Sequence, residues 1–143
     1  MKRNPISKYM TPTPQTIGKT QPLAVAHRLM REMGIRHLPV LDRGELVGIV
    51  SERDLHFIET LRDVDPEEVL VEEAMTPDPY RVTPGTSLDK VVRQMSREKY
   101  GAALVVEDGR VVGVFTTIDA LRVLASVFAE QRPAAAAGRR RAA

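Results

Sequence analysis

Apolar and polar residues run along the chain in two rhythms, and the order of those rhythms recurs. From Leu23 the apolar residues fall at Leu23, Ala26, Met30 and Met33, and from Leu88 at Leu88, Val91, Val92 and Met95, the spacing of one helix face. Each stretch has a start signal. Thr20-Gln-Pro22 puts proline in a first turn, and Thr86-Ser-Leu-Asp89 has capping-box spacing. Each helix is followed by two short apolar runs, HLPVL (37–41) with ELVGIV (45–50), then AALVV (102–106) with RVVGVF (110–115). A polar turn, Asp42-Arg-Gly44 or Asp108-Gly109, separates the two members of each pair, which predicts β-hairpins. A second helix is predicted to start near Glu52 and near Thr117. Asp65-Pro-Glu-Glu68, with Asp as cap and Pro at the first helical position, predicts a linker helix over 63–74.

The recurrence has a fixed period. Shifting the chain by 65 residues superposes two halves without a gap, with 12 identities across the 47 pairs from Met10/Met75 to His56/Leu121. Met10-Thr-Pro12 meets Met75-Thr-Pro77, Val47-Gly48 meets Val112-Gly113, and Asp54 meets Asp119, while Ser51/Thr116 is conservative. The chain is a tandem duplication of a β-α-β-β-α unit.

Composition narrows the class. The 143 residues are 43% hydrophobic and 28% charged, with 4% aromatics and no Trp, so the core has to be built from Val, Leu, Ile, Met and Ala. Met10, Met30, Met33, Met75 and Met95 are read as gap-filling core residues. No apolar run approaches the ~20 residues of a membrane span, and MKRNPISKYM lacks the apolar centre of a secretion signal. Zero Cys excludes disulfides and thiolate chemistry and fits a cytoplasmic protein. Four of the 21 Lys and Arg (Arg132, Arg139, Arg140 and Arg141) lie in the last twelve residues, leaving 17 basic against 19 acidic residues elsewhere. The basicity belongs to a tail, 131–143, whose Pro, Gly, Ala and Arg predict disorder. A nucleic-acid partner is therefore not expected of the body. His27, His37 and His56 lie on different elements with no metal-ligand spacing.

The chemistry sits where each hairpin ends. Ser51 with Asp54, and Thr116 with Asp119, have the spacing of a helix cap, and the plainest reading is capping. A carboxylate held in a first turn can also accept both hydroxyl protons of a ribose. The hydroxyl and N–H groups at the same helix start can receive a phosphate. Gly48 and Gly113 permit close approach of backbone or ligand.

Two β-α-β-β-α halves, each preceded by Met-Thr-Pro and ending in Gly-h-h-Ser/Thr-x-x-Asp, resemble a tandem pair of CBS domains, a Bateman module, over roughly residues 6–128. The resemblance implies an α/β fold in which repeats 6–62 and 75–130 pack through their sheets about a pseudo-twofold axis, leaving two clefts for adenosyl ligands. AMP, ADP and ATP are the leading candidates, with S-adenosylmethionine or NAD after them and no catalytic cofactor. The implied sites are crossed. One joins Thr13, Gln15, Ile35, Arg36 and His37 to Thr116, Ile118 and Asp119. The other joins Ser51, Arg53 and Asp54 to Asp78, Tyr80, Tyr100, Gly101 and Ala102. The Asp119 cleft would have Arg36 and His37 for phosphates where the Asp54 cleft has Gly101 and Ala102 at the matching positions, so a phosphorylated adenosine is expected to prefer the Asp119 cleft.

The resemblance further implies a non-catalytic regulatory module, a homodimer forming a four-domain disc, and an effector protein in trans. A structural dimerisation module with empty clefts is the competing class. An enzyme is disfavoured, because no nucleophile–base pair, metal cluster or P-loop is visible.

Overall fold

The computed structural model describes residues 4–131. The tail expected to be disordered therefore lies, from Arg132 on, outside the described residues. The strands are β1 (Thr11–Pro12), β2 (Ile17–Gly18), β3 (His37–Asp42), β4 (Glu45–Ser51), β5 (Thr76–Pro77), β6 (Arg81–Val82), β7 (Ala102–Glu107) and β8 (Arg110–Thr116). The helices are α1 (Leu23–Met33), α2 (Glu52–Glu59), α3 (Val71–Ala74), α4 (Leu88–Glu98) and α5 (Thr117–Glu130). The β-α-β-β-α order holds in both halves. Both hairpins close through two consecutive positive-φ residues, Arg43 at 54° with Gly44 at 85°, and Asp108 at 52° with Gly109 at 77°. Those turns match the right-handed twist of the strands they join.

The sheets are not confined to one repeat each. One has the order β2-β3-β4-β5 and the other β6-β7-β8-β1, so each takes its outermost short strand from the opposite half. Thr11 and Pro12 pair antiparallel with Val114 and Gly113, and Thr76 and Pro77 with Ile49 and Gly48. The exchange begins before the strands. Ile6, fully buried in the second core, donates its N–H to Thr86 O at 2.7 Å, and Asn4 O accepts from Leu88 N at 2.8 Å. Sixty-five residues on, Val71 is fully buried in the first core, and Val69 O accepts from Leu23 N at 2.7 Å. Burying each of these side chains is worth about 1.5–3 kcal/mol. In space, residues 4–12 belong with the second repeat and 69–77 with the first.

The same exchange accounts for two glycines. A β-carbon on Gly113 would collide with the Met10 side chain, 2.8 Å from Cγ and 2.9 Å from Cε; on Gly48 it would meet Met75 Sδ and stand 3.0 Å from Thr76 O. What approaches these glycines is a methionine of the crossing strand, rather than a ligand.

Two expectations are corrected. The linker helix expected over 63–74 is a single turn, Val71–Ala74. Asp65 instead closes a tight turn, accepting from Glu67 N through Oδ1 at 2.9 Å and from Glu68 N through its carbonyl at 2.9 Å. The backbone of 69–72 is then committed to Gln21, Leu23 and Lys19, with Lys19 Nζ pairing Asp42 at 3.2 Å and Glu72 at 3.7 Å. Met33, expected in the core, is 54% exposed at the end of α1. Leu23, Ala26 and Met30 fill the buried face without it.

Candidate functional site

Each long strand delivers a hydroxyl residue to a helix start. Ser51 caps α2: its Oγ accepts from Asp54 N at 3.1 Å, and Asp54 Oδ2 accepts from Ser51 N at 2.8 Å. Thr116 caps α5 in the same way, with Asp119 Oδ2 accepting from Thr116 N at 2.9 Å and from its hydroxyl at 3.2 Å. Both capping boxes are complete, so the plain reading of these pairs is correct as far as it goes. Further donors expected to be free for phosphate are taken by backbone carbonyls ahead of β3 and β7. The N–H of Glu52 goes to Arg36 O at 2.9 Å and that of Thr117 to Gly101 O at 3.2 Å. An anion here would have to be met mainly by side chains.

The two carboxylates differ in their second oxygen. Asp119 is 7% exposed, and it is the charged residue that the fold buries among those described. Its Oδ1 lies 3.5 Å from the hydroxyl of Thr11, which arrives on the crossing strand, and 3.5 Å from a guanidinium nitrogen of Arg122. Asp54 is half-buried, and its Oδ1 makes no hydrogen bond with the described residues. Thr76 replaces Thr11 and Phe57 replaces Arg122 at the matching positions. The Asp119 carboxylate is thus closed and charge-balanced, and the Asp54 carboxylate is open.

The crossing strands also bring up Thr13 and Asp78, both exposed and both at φ 47°. Thr13 is held by its N–H to Val112 O at 3.0 Å. A positive φ at a non-glycine residue costs of order 1 kcal/mol, here at two positions 65 residues apart. Gln15 is exposed and bonds Thr16 O at 3.1 Å, and Ile35 packs at the margin of the first core. Tyr80 and Tyr100 stack on each other with ring centroids 5.2 Å apart and planes 26° apart. Burial and the neighbouring Tyr100 push the Tyr80 phenol up.

His37 pairs with Ser51 across the β3–β4 ladder, and Ala102 pairs with Thr116 in the same way. Burial holds the His37 imidazole below its usual range, Asp54 opposes that shift and Arg36 adds to it. Its Nε2 is 3.4 Å from where a Gly101 β-carbon would stand. His37 therefore reaches from the Asp54 group toward Gly101 of the other half. Arg53 and Ile118 are both exposed in the first turns of α2 and α5. Sequence reasoning missed Thr11, Arg122 and Phe57; the first was legible in the crossed Met-Thr-Pro segment, the others in the turn after each Asp.

A CBS domain profile matches residues 6–57 and 71–126. The chain belongs to the CBS-domain family. Inosine-5'-monophosphate dehydrogenase of Korarchaeum cryptofilum is 37% identical over 105 residues, which are 73% of this chain and 21% of that protein. The chain spans under half the length of the first curated relatives it matches. Among solved structures, a Vibrio cholerae protein assigned to acetoin utilization (AcuB) superposes with a TM-score of 0.76 at 31% identity, covering 90% of this chain and 98% of that one. CBSX2 in complex with AMP gives 0.75 at 27%, covering 87% and 98%. The CBS pair of MJ0100, solved with 5'-methylthioadenosine and S-adenosyl-L-methionine, gives 0.75 at 25%, covering 86% and 97%. This is a CBS pair of regulatory type. No helix among the described residues is long and apolar enough to cross a membrane, and no group of three or more acidic, His or Cys residues there could hold a metal.

Proposed function

We propose that this CBS pair is a non-catalytic sensor that binds adenosyl ligands between its repeats, acts as a homodimer and modulates an effector protein in trans. One observation carries the reading most: a hydroxyl on the strand contributed by one half, Thr11, reaches the capping carboxylate of the other, Asp119. A ribose taking the place of that hydroxyl would bind both halves at once. Relatives solved with AMP and with S-adenosyl-L-methionine support the ligand class.

The clefts are proposed to differ. Around Asp119, Arg122 adds positive charge and Thr13 replaces the acidic Asp78, which favours a phosphorylated adenosine such as AMP, ADP or ATP. The Asp54 cleft, with Asp78 and the Tyr80–Tyr100 stack, favours a less charged adenosyl group lying against a ring face.

Calorimetry with AMP on Asp119→Ala and Asp54→Ala tests the assignment. Loss of AMP affinity confined to Asp119→Ala is expected, and equal losses overturn it. Thermal unfolding tests the class, since a ligand at 100 times its Kd adds about 2.7 kcal/mol. Unchanged midpoints with AMP, ATP, NAD and S-adenosylmethionine would leave the carboxylates as caps and the protein as an interaction module.

A further inference from the structure

The two capping carboxylates have different kinds of countercharge. Asp119 Oδ1 has a permanent one, the Arg122 guanidinium at 3.5 Å, with the Thr11 hydroxyl at 3.5 Å beside it. Phe57 and Thr76 hold the matching positions around Asp54, and Asp54 Oδ1 accepts no hydrogen bond from the described residues. Arg36 and Arg53, the nearest fixed cations in the sequence, are exposed and form no ion pair among the described residues.

What faces Asp54 instead is a titratable group. His37 opens β3 opposite Ser51, whose N–H donates to Asp54 Oδ2 at 2.8 Å. Residues opposite each other on antiparallel strands carry their side chains on one face, with Cα atoms about 4.5–5.5 Å apart. His37 is half-buried. Burial opposes its charged form most strongly, Asp54 on α2 attracts that form, and Arg36 beside it in the chain repels it less. From the other half Gly101 faces it, bringing no charge and no β-carbon, and His37 Nε2 lies 3.4 Å from where that carbon would stand. The second repeat has Ala102 opposite Thr116, so no imidazole attends Asp119 across its ladder.

Protonation changes what this cluster can do. A neutral imidazole has one N–H, whereas an imidazolium donates from both nitrogens, and its bonds to a carboxylate are charge-assisted. Imidazolium and ribose hydroxyls then compete for the same free oxygen. We propose that His37 is a proton-operated stopper for the Asp54 carboxylate: on acidification the imidazolium takes Oδ1 and an adenosyl ligand is released there, while Asp119, with its fixed countercharge, does not respond. This rests on the adenosyl reading above and deepens it by giving one of the two carboxylates a proton as its regulator.

A double-mutant cycle without ligand tests the cluster. Urea midpoints of the full chain are compared at about pH 8 and about pH 5 for wild type, His37→Gln, Asp54→Asn and the double variant. Asparagine keeps an acceptor for the Ser51 N–H, and His27 and His56 are common to all four chains and cancel. The single losses should add at the higher pH. At the lower pH they should depart from additivity by about 0.3 M or more, Asp54→Asn costing more when His37 is present. Calorimetry with adenosine, which has no phosphate to titrate, reads the ligand in Asp119→Asn, where Asp54 is the remaining clamp. Its affinity should be about threefold or more weaker at the lower pH, and adding His37→Gln should bring that ratio toward one. Additive losses at both pH values, or an adenosine affinity that is flat or rises on acidification, would overturn the proposal. Adenosine unbound at both pH values, with the cycle coupled at the lower one, would support the His37–Asp54 stopper and fail the adenosyl reading instead.

Discussion

Replacing Gly113 by alanine sets a β-carbon into space that Met10 fills, 2.8 Å from Cγ and 2.9 Å from Cε. Overpacking of this kind costs typically 1–3 kcal/mol. Here the obstacle is a flexible side chain, so the lower half of that range is expected. With a urea m-value near 2 kcal/mol/M, a cost of about 1–2 kcal/mol lowers the unfolding midpoint by about 0.5–1 M. Gly48→Ala should cost more, because one of its obstacles is the backbone carbonyl of Thr76 at 3.0 Å, which cannot swing aside. The double variants separate the two cases. Adding Met10→Ala to Gly113→Ala should recover most of that loss, a coupling of about 1 kcal/mol in a double-mutant cycle, whereas Met75→Ala should rescue Gly48→Ala only in part. Urea unfolding followed by circular dichroism at 25 °C is the assay. If Gly113→Ala leaves the midpoint in place, or the two changes simply add, the crossing strand is not what these glycines accommodate.

Two further outcomes follow from single positions. His37 is held below its ordinary pKa, chiefly by burial, so the unfolded chain takes up the proton first. Its contribution is complete above the unfolded value of about 6.5 and is lost as pH falls from there through the folded value. The thermal midpoint should therefore decline below pH 6.5 in wild type and decline less in His37→Gln. Lys99 ends α4 at φ 62°, ψ 37°, where its counterpart Gly34 ends α1 at φ 64°, ψ 33°. Lys99→Gly should relieve about 1–2 kcal/mol of left-handed strain and lose part of it to chain entropy, for a net gain of about 0.5–1 kcal/mol in urea unfolding.

The features that the residues announced are those that local physics settles. Leu23 and Leu88 open helices because the pattern after them has one period; Gly44 and Gly109 close hairpins because the turns need positive φ; Ser51–Asp54 and Thr116–Asp119 form caps because three residues is the reach of a capping box. What stayed hidden depends on partners far along the chain. A two-residue strand such as Thr11–Pro12 has no period to read, and nothing local says which sheet it joins. Pro66 after Asp65 fits a helix start and a tight turn equally well, and docking of residues 69–72 onto the first repeat decided for the turn. The placement of His37 beside Asp54 follows from ladder register, which no motif encodes.

The exchanged strands have a consequence for half of this molecule. A single repeat cut out of the chain, such as residues 4–66, would hold a spare strand and lack the one its own sheet needs. Its spare strand, with Ile6 in the role of Val71 and an identical Met-Thr-Pro, is the piece missing from another copy of itself. Half a gene would thus yield a swapped pair of half-chains in which the pseudo-twofold axis becomes a true one. In the whole chain the covalent link between repeats converts that bimolecular exchange into an internal one, which no dilution can undo.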